Sequence, residues 1–119
     1  EKLDSTQAGF GAASDSTRAI RFGGRDTPGG NTINAMGYVT IASTGDARDF
    51  GDLTSVSKDG DATSNSIRAV HNIGNSGSAT NAIDYVTIQT TGNAKNFGDL
   101  TTQTRTQGGT TSDSHGGVG

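Results

Sequence analysis

Imidazole is the side chain best suited to proton transfer and metal ligation near neutral pH, and the chain has two, His71 and His115. They fall in corresponding stretches, His115 displaced by one position when Arg18 is aligned with Arg68. A metal site needs several converging ligands and a supporting shell, which nothing nearby supplies, so both are expected to be exposed or half-buried residues of strands. Lys58-Asp59-Gly60-Asp61 has the opening of a calcium loop, but Ala62-Thr63-Ser64 follow where further oxygen ligands are needed, and the segment reads as a turn. Asp52 and Asp99 have the look of a catalytic carboxylate pair. Each recurs within the same Gly-Asp-Leu-Thr, so each is expected to cap backbone N–H groups of its own turn. Arg18 and Arg68 recur in the same way and are expected to form a hydrogen bond or ion pair inside their own unit. No G-x-S-x-G, G-x-G-x-x-G or P-loop is present. No catalytic residue, cofactor or metal is expected, and the chain is not read as an enzyme.

The elements that place these residues are repeated. Residues 34–54, NAMGYVTIASTGDARDFGDLT, and 81–101, NAIDYVTIQTTGNAKNFGDLT, are identical at 14 of 21 positions with an offset of 47. Ser14-Asp15-Ser16-Thr17-Arg18-Ala19-Ile20 recurs as Ser64-Asn65-Ser66-Ile67-Arg68-Ala69-Val70 at an offset of 50, and a degraded third copy starts at Ser112-Asp113-Ser114. The extra residues of the first unit lie within 23–31, as expected of a surface loop. With Leu3, Leu53 and Leu100 as markers, one domain spanning 1–119 divides into 3–52, 53–99 and a partial 100–119.

Each unit breaks into short segments between turn residues. Thr17–Gly23, Ile33–Ala42, Ala47–Thr54 and a polar stretch Lys58–Ser64 make up one period. The second unit repeats the plan in Ile67–Ile73, Ala82–Gln89 and Ala94–Thr101. No segment has sustained helical periodicity, and Tyr38-Val39-Thr40-Ile41 alternates as a strand does, so the fold class is all-β with almost no helix. A period of 47–50 residues with about four strands has the size of a propeller blade. The expectation is a β-propeller-like repeat of about two and a half four-stranded blades. Stacked solenoid coils are the alternative, disfavoured by the unequal periods. Abundant Gly, Ala, Ser and Thr would let neighbouring sheets approach closely.

The order S-D-S-T-R-A-I-R-F-G-G, a variable loop, T-I-N-A-M-G-Y-V-T-I and F-G-D-L-T resembles the kelch-like propeller repeats of bacteriophage tail-fibre and other virion surface proteins. The resemblance covers nearly the whole chain. It is carried by Arg18, Gly23-Gly24, Tyr38 to Ile41 and Phe50 to Thr54, and again by Arg68, Gly74, Tyr85 to Ile88 and Phe97 to Thr101. Cellular kelch repeats place a Tyr and a Trp close together after the glycine pair. Here Tyr38 and Phe50 are twelve apart and Trp is absent, a departure that argues against cellular kelch partner binding. The resemblance implies a structural or receptor-contacting role at a virion surface or outside the cell, and brings no enzyme activity with it.

Composition sets the remaining bounds. Leu, Ile, Val and Phe number 19 of 119 residues, within the range of disordered chains, but a net charge of −3 and a single Pro do not suit an extended chain. Nine Lys+Arg interspersed with twelve Asp+Glu make no basic stripe, so no nucleic acid is expected. No apolar stretch is long enough for membrane insertion, and the absence of Cys removes any disulfide framework. Stability must come from elsewhere, and blades bury their faces against neighbours. A homo-oligomer is therefore expected, a ring or filament completed by other copies or by sequence beyond this chain. The positions that differ between units, Arg25 to Asn31 and Asn75 to Asn81, are the candidates for ligand contact, above all Arg25, Asp26, Asn31, Asn75, Ser76 and Asn81. Their amides and hydroxyls suit a cell-surface glycan or receptor. Two functions follow: a self-associating structural subunit of a phage tail fibre or similar appendage, and alternatively an adhesion module presented on that scaffold.

Overall fold

The computed structural model describes residues 7–8, 10–26, 30–104 and 110–112. Along the chain run β1 (Gln7–Ala8), β2 (Gly11–Ser14), β3 (Arg18–Phe22), β4 (Arg25–Asp26), β5 (Asn31–Thr32) and β6 (Ala35–Thr40). These are followed by β7 (Arg48–Asp52), β8 (Asp61–Ser64), β9 (Arg68–Asn72), β10 (Thr80–Thr87) and β11 (Lys95–Thr104). All pairings are antiparallel, and among the described residues there is no helix, hence none that could cross a membrane. β2-β3-β6-β7 form one four-stranded meander and β8-β9-β10-β11 a second. The polar stretch Lys58–Ser64 thus supplies the first strand of sheet two. β11 continues past residue 99, where the leucine markers end the second unit.

Local chemistry explains the turns. Between β2 and β3 the Asp15 carboxylate accepts the N–H groups of Thr17 (2.9 Å) and Arg18 (2.7 Å). Between β8 and β9 the Asn65 side chain accepts those of Ile67 (2.9 Å) and Arg68 (2.7 Å). Side chains of this length fold back on the backbone two and three residues ahead and close a tight turn without water. The extra length of the first unit forms the β4–β5 hairpin, which pairs with β1 in a small third sheet. Residues 27–29, between β4 and β5 in sequence, lie outside the described residues. In the second unit the counterpart shrinks to bridges joining Lys58, Asn75 and Ala79.

The core lies between the two meanders. Directly paired residues share a face of a sheet, so Phe22 with Met36, and Ile20 with Tyr38, form one face of sheet one. Ala62, His71 and Asp84, together with Ser64, Ala69 and Val86, form one face of sheet two. These faces meet in a single cluster that includes Ile20, Phe22, Met36 and Phe50 from the first unit and Leu53, Ala62, Ala69, Val86, Ile88 and Ala94 from the second. His71 corrects an expectation here. It is fully buried, its ring stacked on Phe22 with centroids 4.9 Å apart and planes within 9°. The cause is tertiary: a strand position that would face water in a lone sheet is roofed by the sheet before it. His115 lies outside the described residues.

Candidate functional site

The residues that recur in both units build one arrangement twice. Arg18 on β3 lays its guanidinium 4.2 Å from the ring centroid of Tyr38 on β6, and Arg68 on β9 repeats this at 4.4 Å over Tyr85 on β10. Tyr38 meets Phe50 edge to face at 5.9 Å, and Tyr85 meets Phe97 likewise at 6.0 Å. An arginine, a tyrosine and a phenylalanine thus cross three strands of each sheet, a cation–π contact followed by an aromatic pair. The contact expected inside each unit for the arginines is therefore to a ring. Arg18 also reaches out of its unit, donating to the carbonyl of Ile88 at 3.0 Å.

That bond belongs to a polar frame around the apolar interface. Thr54 donates its N–H (2.8 Å) and its hydroxyl (2.8 Å) to the buried carboxylate of Asp84. Ser57 donates to the carbonyl of Ile73 and Ser64 to that of Ser14, both at 2.6 Å. The Gln89 amide donates to Asp15 and to Thr17. Burial opposes the charge on Asp15, but the bonds from Gln89, the Thr17 and Arg18 N–H groups and the Thr17 hydroxyl outweigh it and hold its carboxyl below the ordinary range. At the outer edge, Phe50 and Asp52 carbonyls accept N–H groups of Gly92 and Ala94 at 2.8 Å. A Cβ on Gly51 would collide with the Gly92 carbonyl, so glycine is needed for the strand to come this close.

Asp52 and Asp99 do not cap turns as expected. Both are exposed, and neither carboxylate takes a hydrogen bond among the described residues. The caps are Asp15 and Asn65, which the repeated block Ser-Asp/Asn-Ser already displayed. Asp84 was also missed, although its signal was present: it stands where the first unit has Gly37, a charge introduced into an otherwise conserved strand pattern between repeats. In the segment read as a turn, Asp59 takes a left-handed φ of 58° and Asp61 accepts the Ala62 N–H. Among the described residues no three His, Cys, Asp or Glu side chains are gathered as metal ligands. Among the described residues His71 has no hydrogen-bond partner on either ring nitrogen, and it is sealed from solvent.

The six loop residues fall into two separate groups at the same end of the strands. Arg25, Asp26 and Asn31 lie together on the β4–β5 hairpin, with Asp26 paired to Asn31 in register. Asn75, Ser76 and Asn81 lie between β9 and β10 and in the start of β10. There the Asn75 side chain accepts the Gly77 N–H of its own loop at 2.9 Å, and the Asn81 amide donates to the Leu100 carbonyl of β11 at 3.5 Å, so both bond to backbone of the chain itself. At the opposite end, the loops after β6 and β10 form a pair of equivalent polar clefts of about 370 and 400 Å3, flanked by Tyr38 and Arg48 and by Tyr85 and Lys95.

No protein-family model matches the chain, and no curated protein matches it.

Proposed function

We propose that the chain is a non-enzymatic structural module of a phage tail fibre or similar extracellular appendage, built of propeller-like blades and assembling with copies of itself through their faces. One observation carries the self-association: Phe50 is 2% exposed against sheet two, whereas its repeat counterpart Phe97 is 53% exposed on the far face of sheet two. The same face is finished in one unit and unfinished in the other. Each meander is taken as one blade, with β2 and β8 innermost. These strands lie side by side, and Thr110–Ser112 lie beside them, the three segments lining a common cleft of about 300 Å3. Innermost strands gathered around a shared space support the reading of two blades and the first strand of a third around an axis. The appendage role rests on the resemblance of the repeats to those of phage surface proteins.

The test is the native mass of the chain at micromolar concentration, by light scattering on a sizing column. A folded species at a small integer multiple of 12.0 kDa is expected for a ring, and very large particles for a filament. A folded monomer overturns the reading.

A further inference from the structure

We infer that copies of this chain dock head to tail, Phe97 of one copy entering the groove that Ala12, Ala19, Val39 and Ala47 line on the next. The inference rests on the self-association reading above and adds the two surfaces and their pairing. Its template is the interface inside the chain. There Phe50 packs in a cluster whose members from the second unit include Ala62, Ala69, Val86 and Ala94, all buried. At the repeat offsets of 50 and 47, those four positions are Ala12, Ala19, Val39 and Ala47, identical residue for residue. They line an open, apolar groove of about 170 Å3 on the outer face of sheet one. The plug recurs as well, Phe50 as Phe97, held by its own Tyr85 in the same edge-to-face geometry. One chain therefore presents a free plug at one end and a free socket at the other. A self-complementary pair of this kind is heterologous and adds copies in one direction.

The rims agree. Ile88, whose carbonyl receives Arg18, is 0% exposed, while its counterpart Ile41 on the socket side is 54% exposed. Arg68 of one copy is placed to donate to Ile41 of the next as Arg18 donates to Ile88. Other pairs differ. Phe22 against His71 becomes Asn72 against Arg21, and Thr54 with Asp84 becomes Thr101 with Gly37. The contact between copies loses an aromatic stack and a buried carboxylate bond, so it is weaker than the contact within the chain. The incoming β2 must also take the place beside β8 where Thr110 now donates to the Ala62 carbonyl at 2.6 Å. Docking exchanges that bond for those of the arriving strand.

The experiment blocks each surface separately in the full-length chain and then mixes the two. Phe97→Ser removes the plug, and Val39→Lys puts a charge in the socket. Phe97 is exposed and Val39 half-buried in the open groove, and circular dichroism checks that each variant is folded. If Val39→Lys does not fold, Ala47→Lys, outside the strands, replaces it. The wild type is expected above 12.0 kDa, each variant alone at 12.0 kDa, and the equimolar mixture at twice that mass, because only one wild-type plug and one wild-type socket remain per pair. Wild-type association that neither variant disturbs overturns this pairing and leaves self-association standing, as does a mixture that stays monomeric. A monomeric wild type overturns both.

Discussion

His71 sits in an environment far from that of a free side chain, sealed from solvent at 0% exposure. Burial under Phe22 pushes its pKa down from 6.5 to about 4, because the charged imidazolium would sit without water or a hydrogen-bond partner. Asp84, opposite it in register on β10, is already engaged by Thr54. The unfolded chain takes up the proton near pH 6.5 and the folded chain only near 4, so between these values the unfolded state binds more protons. Stability is then full above 6.5 and falls as the pH drops towards 4, by on the order of 3 kcal/mol for a shift of this size. Urea unfolding at a series of pH values should show this slope, and His71→Leu should flatten it. The lowered carboxyl of Asp15 acts in the same direction at still lower pH, its contribution being lost as the pH falls through its folded-state value.

At the scale of elements, the two β-turns closed by Asp15 and Asn65 offer a matched comparison. Each side chain accepts two backbone N–H groups ahead of it, but only Asp15 is also bound by Gln89 from the other sheet. Asn65→Ala removes a local cap and should cost about 1 kcal/mol. Asp15→Ala removes the cap and strands the Gln89 contact, and should cost about twice as much. Denaturant midpoints of the two variants decide this, and equal losses would mean that the Gln89 contact adds nothing. Strand positions were readable because alternation and turn residues act locally: Lys58–Ser64, polar apart from Gly60 and Ala62, was still recognisable as the fourth segment of a period and supplies β8. The capping residues were less readable. Asp52 and Asp99 recur in Gly-Asp-Leu-Thr, yet Asp52 is the last residue of β7 and Asp99 lies inside β11, and a strand residue has no turn of its own to cap.

For the whole molecule, the two copies of one phenylalanine separate folding from assembly. Phe50→Ala opens a cavity in the shared core and should cost about 3–5 kcal/mol, enough to unfold a small domain with a thin core. Phe97→Ala, on the open face, should change the stability of the single chain by about 1 kcal/mol or less. Thermal melts of both variants at concentrations where the chain is monomeric test the contrast, and comparable losses would mean that Phe97 is held by more than its own sheet. The recurring phenylalanine has different energetic value in the two units because, among the described residues, only Phe50 is covered by a neighbouring sheet.

The amino-acid sequence determined the period, the all-β character, the four segments of each unit and the recurring arginine, tyrosine and phenylalanine positions. All of these follow from local alternation, turn chemistry and repetition, which need no knowledge of distant contacts. Tertiary structure alone decided that His71 is sealed while its surroundings in sequence look half-exposed, and that Asp84 accepts from Thr54 thirty residues earlier. It also decided which of two identical Ala-Ala-Val-Ala sets is filled and which is open. The reason is physical: a strand's two faces are chemically assigned by the sequence, but whether a face meets water or another sheet depends on which sheet folds over it.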